Sequence, residues 1–311
     1  MERLRVAFLG PAGSFSHQAA LESFGSSAVL SPRLSFADAF AAVQHNETDY
    51  AVIPFENSTN GSVVQTLDLL ADRDGLYSDV VVCGEYYLTV HHCLLTRKNA
   101  VPSADGSYRF ITKLYSHPQA WGQCERFLSK HFKNVERQDV SSTSKAAEIV
   151  SAEETGHSAA IASRFAAEYH GADILAANIE DRADNTTRFL IVKNIRSKRT
   201  GCAHRTSDAM DMEESQTARW KTLISFMINH SSPGALADAL LIFKAHGMNL
   251  TSINSRPSRI RAWQYIFFVE CERVPGVHDD DVMERILEGL RKVTESCRNL
   301  GSWKDRLIHE V

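Results

Sequence analysis

Short apolar runs alternate with amphipathic segments over the first 195 residues. Runs that predict strands lie at 4–10, 50–55, 79–96, 158–162 and 187–192. Between them, residues at helical spacing predict helices: Phe36, Phe40 and Val43 after the N-cap candidate Ser35, and Ala120, Trp121, Cys124, Phe127 and Leu128 after the stretch 116–119. Strand and helix in alternation predict an α/β sheet.

The pattern stops between residues 196 and 219, which are basic in the first half, acidic in the second and poor in large apolar groups. Such a composition predicts a flexible linker. Beyond it come predicted elements in the order strand 223–230, helix 233–246, strands 249–258 and 262–271, helix 279–297 and a short segment 298–304. This order is that of a ferredoxin-like βαββαβ sandwich. The sequence therefore predicts two folded units, 1–195 and 220–311.

Composition excludes several classes of function. The formal net charge of the 311 residues is -4 and is spread along the chain, so no basic footprint for nucleic acid or a membrane surface is present. We expect no membrane span and a cytoplasmic location, because the six cysteines are scattered and the N-terminus lacks export features. His91 and His92 precede Cys93, but adjacent strand residues point to opposite faces, so we expect no metal site there.

Four polar segments stand where strands end or helices begin: 10-GPAGSFS-16, 53-IPFENSTNGSV-63, 141-SSTSKAAEIV-150 and 184-DNTTRFLIV-192. Helix N-termini attract carboxylates, the Arg188 guanidinium is suited to two-pronged carboxylate binding, and a threonine hydroxyl can donate to a leaving oxygen. Plain turns, capping residues and a surface ion pair of Arg188 with Asp181 or Asp184 are the alternatives.

Taken together, the segments offer hydroxyls, amides, helix ends, one arginine and one carboxylate. No Ser-His-Asp or Cys-His arrangement and no cofactor loop accompanies them. Such a set predicts a pocket for a small polycarboxylate, with a reaction that depends on charge placement and leaving-group assistance.

These motifs resemble prephenate dehydratase with a C-terminal ACT domain. The resemblance runs through the four segments and 159-AAIAS-163, and is most specific in 178-NIEDRADNTTRFLIV-192, which is similar to the family's TRF signature. It implies a catalytic unit of two α/β lobes with a cleft between them, similar to type II periplasmic binding proteins. It also implies cofactor-free conversion of prephenate to phenylpyruvate, carbon dioxide and water, with feedback inhibition by phenylalanine.

Site roles follow from the resemblance by position. Thr187 assists the leaving hydroxyl, Arg188 binds a carboxylate, and Phe189 supports the site. Glu56 is the alternative proton donor if burial raises its pKa. Substrate-binding residues on the resemblance are Ser14, Asn57, Ser58, Ser142, Thr143 and Thr186.

The ACT resemblance is carried by 233-PGALA-237 and 254-NSRP-257. It implies that phenylalanine binds to Pro233, Gly234, Ala235, Leu236, Asn254, Ser255, Arg256 and Pro257, and that the chain forms a homodimer or homotetramer. The second motif usually begins with glutamate, so Asn254 bears on the strength of inhibition. We expect the monofunctional form, with arogenate dehydratase and a non-catalytic amino-acid sensor as alternatives.

Overall fold

The computed structural model describes residues 2–100, 107–200, 219–273 and 281–307. Within them the strands are β1 Arg5–Leu9, β2 Val29–Arg33, β3 Tyr50–Asn57, β4 Gly61–Ser62, β5 Val80–Thr89, β6 Cys93–Thr96, β7 Lys113–Ser116, β8 Glu136–Asp139, β9 Ser158–Ala162, β10 Asp173–Ala176, β11 Thr186–Asn194, β12 Trp220–Met227, β13 Met248–Pro257, β14 Tyr265–Arg273 and β15 Ser296–Lys304. The helices are α1 Phe15–Phe24, α2 Phe36–Gln44, α3 Val64–Ala71, α4 Pro118–Gln123, α5 Glu125–His131, α6 Thr143–Ala152, α7 Arg164–His170, α8 Ala235–Ala245 and α9 Val282–Val293.

Two α/β lobes form from the first part of the chain. Lobe 1 contains a sheet of order β2-β1-β3-β11-β5, with β4 paired to β3, and the helices α1 to α3. Lobe 2 contains a sheet of order β10-β6-β9-β7-β8 and the helices α4 to α7. The chain crosses into lobe 2 after β5 and returns after β10, so that β11 inserts antiparallel between β3 and β5.

The apolar run 79–96 shows how this crossing is encoded. The sequence predicted one long strand there, but the run divides into β5 of lobe 1 and β6 of lobe 2, with 90–92 between them. Periodicity cannot reveal such a break, because the half-buried β5 and the buried β6 form one nearly continuous apolar run. The crossing places His91 and His92 where the two lobes meet.

The last described elements form a third unit, here called the C-terminal domain (219–273 and 281–307). Its antiparallel sheet has the order β13-β14-β12-β15, and α8 and α9 pack on one face, which is the predicted ferredoxin-like sandwich. The predicted helix 279–297 is too long: α9 ends at Val293, and Ser296 begins β15, which pairs with β12. Most of the predicted linker, 201–218, lies outside the described residues.

The C-terminal domain docks directly on lobe 1. Leu300 and Trp303 of β15 lie in one buried cluster with Phe55 of β3 and Leu190 of β11. At Gly301, φ is +127°, and a Cβ there would overlap the carbonyl oxygen of Val82 in β5. The open face of the C-terminal sheet thus becomes part of the core of lobe 1.

Candidate active site

A cleft of about 590 Å³ lies between the lobes, which is the size range of small-ligand sites. Five of the predicted site residues line it: Ser14, Asn57, Ser142, Thr143 and Thr187. They come from the carboxyl end of β3, the start of β11 and the first turns of α1 and α6. Sequence segments far apart in the chain therefore meet as predicted.

Helix N-termini surround this cleft. Ser14 caps α1, Val63 precedes α3 and Ser142 caps α6, and all three residues line the cavity. No Lys, Arg, Asp or Glu is among the described lining residues. The positive potential for an anion therefore comes from the ends of helices and from amide donors, not from a cation in the cleft.

Asn57 controls the direction of the Thr187 hydroxyl. The Oδ1 of Asn57 accepts from the backbone N–H groups of Thr59 and Asn60, at 3.0 and 2.9 Å, so its Nδ2 must face β11 as a donor. That Nδ2 donates to Thr187 Oγ1 at 3.0 Å. Because Oγ1 accepts this bond, the hydrogen of the Thr187 hydroxyl is available to a molecule in the cleft.

The Asn57 amide is held from a second side by Asn185. Asn57 Nδ2 donates to Asn185 Oδ1 at 2.9 Å, and the Thr59 hydroxyl donates to the same oxygen at 3.2 Å. Asn185 is 3 % exposed. No role for Asn185 was predicted from the sequence, because an asparagine before a strand is typical of a turn.

Four polar side chains outside the predicted substrate-binding set complete the cleft: His92, His117, Gln119 and Gln123. His92 is buried, and its Nε2 lies 2.7 Å from Gln123 Oε1. Burial lowers the pKa of His92 and of His117, so both rings are neutral at pH 7. The sequence signal for His92 was a polar residue within the apolar run 79–96. Gln123 gave no signal, because it lies within a predicted helix.

Arg188 does not line the cleft. Strand residues alternate between faces, so Arg188 points away from Thr187 and toward the C-terminal domain, where it is 6 % exposed. Its guanidinium bonds Glu85 of β5, with Nε to Oε2 at 2.8 Å, and also contacts Glu270 of β14. Burial lowers the pKa of Arg188, and the Coulomb attraction of Glu270 and Glu85 more than reverses that effect. The expectation that Arg188 binds a substrate carboxylate in the cleft is therefore corrected.

Glu56 also lies outside the cleft lining. It stands opposite Arg188 in the β3–β11 register, with Oε2 3.8 Å from Arg188 Nη1, and its side chain is 39 % exposed. The expectation of a buried carboxyl group facing the substrate is corrected, since the register of β3 and β11 shifts at Phe55, which turns Glu56 to the same face as its partner Arg188.

Three other predicted residues support the site without lining it. Phe189 is buried on the same face of β11 as Thr187, in a cluster that includes Phe8 and Phe15. The Ser58 hydroxyl accepts from the backbone N–H of Thr186 at 2.9 Å, and the Thr186 hydroxyl donates to the Asp184 carbonyl at 3.2 Å. These bonds join the end of β3 to the start of β11.

The two lobes touch at one edge of the cleft. Ser144 of α6 donates to the Ala12 carbonyl at 2.6 Å, and its Oγ lies 2.9 Å from His170 Nε2. Gly13 has φ +77°, and a Cβ at this position would stand 2.7 Å from Ser144 Oγ. The 10–16 turn thus needs glycine because lobe 2 approaches it closely.

The predicted phenylalanine-binding residues occupy two parts of the C-terminal domain. Gly234 caps α8 with φ 85°, preceded by Pro233 and followed by Ala235 and Leu236. Asn254, Ser255, Arg256 and Pro257 end β13. Asn254 Oδ1 accepts from the hydroxyl of the cleft residue Ser62 at 2.7 Å, and Arg256 pairs with Asp68 of α3 at 2.8 Å.

Within the described ranges, no helix is both long and apolar enough to cross a membrane. No group of three or more metal-ligating side chains occurs in the same part of the chain.

Comparison with known proteins assigns the chain. The family model described as prephenate dehydratase matches residues 6–197. The bifunctional chorismate mutase/prephenate dehydratase of Aquifex aeolicus (strain VF5) is 39 % identical over 309 residues, which cover 99 % of this chain and 76 % of that protein.

Two solved structures extend the likeness to the whole fold. The prephenate dehydratase from Arthrobacter aurescens in complex with L-Phe has a TM-score of 0.77 and 27 % identity, covering 96 % of this chain and 89 % of that one. A structure described as a novel type of quorum quenching acylase has a TM-score of 0.77 and 26 % identity, covering 96 % and 97 %. The chain belongs to the prephenate dehydratase family.

Proposed function

We propose that this chain converts prephenate to phenylpyruvate, carbon dioxide and water in phenylalanine biosynthesis, as a carbon–oxygen lyase. The observation that carries the proposal is the Asn57–Thr187 bond, which leaves the Thr187 hydroxyl hydrogen free to donate into a cleft ringed by helix N-termini. Membership of the family supports the same reaction.

In this proposal the protein binds a dianion without a cationic side chain. The first turns of α1, α3 and α6 supply positive potential and backbone N–H donors for the two carboxylates. A site that holds charge in this way is preorganised, because backbone dipoles do not have to reorient during the reaction.

The bond changes balance with one proton taken up. The bond from the ring carbon to its carboxylate breaks, and its electron pair enters the ring as carbon dioxide leaves. The ring carbon–oxygen bond breaks at the other end, and the hydroxyl departs with that bond's pair and becomes water on protonation. The Thr187 hydroxyl donates a hydrogen bond to the departing oxygen as negative charge develops on it.

We assign this role to Thr187 and not to Glu56. Thr187 lines the cavity, whereas Glu56 lies on the other face of the sheet beside Arg188. A donor must be within hydrogen-bond reach of the atom it serves.

Alternative activities make different demands on the site. Arogenate carries an amine where prephenate has a side-chain carbonyl, so parallel assays with the two substrates distinguish these activities. An acylase uses a nucleophile beside a base, and the buried Ser144 lies 2.9 Å from His170 but gives its hydrogen to Ala12. Those contacts favour a structural role for that pair.

We further propose that residues 1–195 are the catalytic unit, 196–219 a linker and 220–311 an ACT domain that binds phenylalanine. The relative from Arthrobacter aurescens is described in complex with L-Phe. In this chain the proposed effector segment 254–257 touches lobe 1 through Asn254 and Arg256, so effector binding has a direct route to the cleft.

We also propose that two or four copies associate through the C-terminal domain. β13 is an edge strand, and Leu250 and Ile253 on it are 36 % and 51 % exposed. An unpaired strand edge with apolar side chains is a template for pairing with a second copy. Light scattering of the wild type and of Ile253→Lys tests this, with Leu34→Lys on exposed lobe 1 surface as the control.

A cytoplasmic location completes the proposal. The described cysteines are free thiols, and Cys93, Cys124 and Cys271 are buried. Free thiols are typical of reducing compartments. Fractionation of cells that express the tagged chain tests this.

The test of function is phenylpyruvate formation by the purified chain from prephenate and, in parallel, from arogenate, each with and without phenylalanine. Turnover of prephenate that phenylalanine suppresses is the expected result. Faster turnover of arogenate would change the substrate, and a folded protein active on neither substrate would overturn the enzyme assignment in favour of a sensor.

A further inference from the structure

Arg188 is the centre of a buried ionic cluster that joins three strands. Besides Glu85 of β5 and Glu270 of β14, the rings of Phe55, Tyr87 and Trp303 surround its guanidinium, with centroids 5.4 to 6.0 Å away. Trp303 and Glu270 belong to the C-terminal domain, and the other groups belong to lobe 1. The arginine therefore bridges the two units inside their shared core.

Neighbouring charges hold the cluster together. Lys221 of β12 pairs with Glu85 at 3.3 Å and with Asp305 at 2.7 Å, so it makes a second link between the units. Glu270 also accepts from the Thr251 hydroxyl at 2.7 Å, which fixes its carboxylate against β13. Because the Glu270 carboxylate is buried and bonded on both sides, it moves together with β14.

Arg188, the centre of the cluster, is the next residue along β11 after Thr187, the proposed hydrogen-bond donor to the departing oxygen. Thr187 and Arg188 are consecutive in β11, and Thr187 must stay 3.0 Å from Asn57 for its hydrogen to face the cleft. A displacement of Arg188 along or across the sheet shifts the Thr187 backbone with it. Small misplacements of such a group reduce turnover sharply.

We propose that Arg188 is a positioning residue for Thr187. Its bond to Glu85 holds Thr187 in place within lobe 1, and its bond to Glu270 makes the position of Thr187 depend on the state of the C-terminal domain. This rests on the proposed function, because the effector and the reaction are those proposed above. Coupling of this kind is reciprocal, so substrate and phenylalanine each alter the affinity for the other.

The discriminating variant is Glu270→Gln, which removes the charge of the bridge and keeps its shape. We expect kcat without effector to stay within about threefold of wild type, while phenylalanine inhibits at least about tenfold more weakly. The matched control is Glu272→Gln on the same strand, whose carboxylate bonds Asn249 of the C-terminal domain. Control inhibition should equal that of wild type.

A second pair of variants separates positioning from plain stability. Arg188→Met should lower kcat by at least about tenfold with KM within about threefold, and Arg188→Lys should recover part of kcat. A merely structural arginine would change the melting temperature and leave the kcat of the folded fraction intact.

Hydrogen exchange provides a readout independent of turnover. Phenylalanine should change the exchange of the 186–192 amides in wild type and in Glu272→Gln but not in Glu270→Gln, with calorimetry reporting phenylalanine binding to all three. If phenylalanine inhibits Glu270→Gln and changes its hydrogen exchange as much as in the wild type, the inference is overturned. An inactive wild-type chain would instead overturn the proposed function, and the exchange comparison would still decide the coupling.

Discussion

Two consecutive residues of β11 serve different parts of the molecule. Thr187 faces the cleft and accepts from Asn57, whereas Arg188 faces the C-terminal domain and bonds Glu85 and Glu270. Alternation of side chains along a strand separates them. From the sequence alone, the same rule led us to expect no shared metal at His91 and His92. Applied to β11, it also places the side chains of Thr187 and Arg188 on opposite faces.

Replacing Thr187 by alanine removes the hydroxyl that donates to the departing oxygen. We expect kcat to fall roughly 100-fold or more while KM changes little, because the lost bond strengthens only in the transition state. Steady-state kinetics on prephenate measure both constants. Thr187→Ser keeps the hydroxyl and should retain most of kcat, and equal losses in the two variants would contradict the role.

Asn57→Asp tests the direction of the Thr187 hydrogen. An aspartate oxygen in place of Nδ2 accepts from Thr187 and draws its hydrogen out of the cleft, so kcat should fall roughly 100-fold. Circular dichroism should show an unchanged fold. The control is Asn46→Asp, which makes the same exchange at an exposed position of lobe 1 that does not line the cleft. Undiminished turnover in Asn57→Asp would exclude the arrangement.

At the scale of elements, the cleft is built from the starts of helices. α1 and α6 face each other across it from different lobes, and their capping serines bond the first turns. Helix N-termini point at the ligand only if the lobes are correctly apposed, and Ser144 bonded to Ala12 sets that apposition. Packing between elements therefore determines the electrostatics of the cleft.

Gly13→Ala tests this apposition. The added Cβ would stand 2.7 Å from Ser144 Oγ and 3.0 Å from His170 Nε2, so the Ser144–Ala12 contact between the lobes must shift, and we expect KM for prephenate to rise at least about threefold. Gly25→Ala is the matched control, since φ is +71° there and a Cβ meets nothing within 4 Å.

Both glycine variants place an L-residue at positive φ, a strain of about 1–3 kcal/mol. Thermal unfolding measures that strain in each variant, and kinetics measure the effect on the site. If Gly13→Ala and Gly25→Ala have the same KM, contact between the lobes does not shape the site.

At the scale of the whole molecule, lobe 1 and the C-terminal domain share one buried cluster, whereas lobe 2 has clusters of its own. The C-terminal sheet covers lobe 1, and the buried ions Arg188, Glu85 and Glu270 lie within that contact. Removing one member of a buried ion pair leaves its partner uncompensated. Docking of the C-terminal domain and stability of lobe 1 are therefore linked.

Stability should decrease as the pH falls below neutrality. Burial lowers the pKa of His17, His92, His117 and His170 in the folded state, so the unfolded chain binds protons first as pH falls below about 6.5. We expect the melting temperature to fall between pH 7.5 and 5.5 at constant ionic strength. A constant or rising value over that interval would contradict the pKa directions.

Carboxylates with lowered pKa add a second stage. Hydrogen bonds from Arg256 and Arg73 lower the pKa of Asp68, although burial opposes them. That stabilisation is present above the unfolded pKa near 4 and is lost as pH falls through the lower folded value. Scanning calorimetry at constant ionic strength should therefore show a further loss only below about pH 4.

The sequence by itself determined most of the elements and indicated several of the residues that line the cleft. Apolar period and capping residues located most strands and helices, because these signals act within a few residues of chain. Ser14, Asn57, Ser142, Thr143 and Thr187 were identified from their motifs and line the cleft.

Only the tertiary structure decided which polar residues face one another. Asn185 and Gln123 had no local signal, and Arg188 and Glu56 turned out to lie on the face covered by the C-terminal domain. The break within 79–96 and the pairing of β11 between β3 and β5 depend on contacts across the chain. Local sequence patterns indicate which positions are buried. The direction of a side chain and the identity of its bonding partner depend on packing between distant segments.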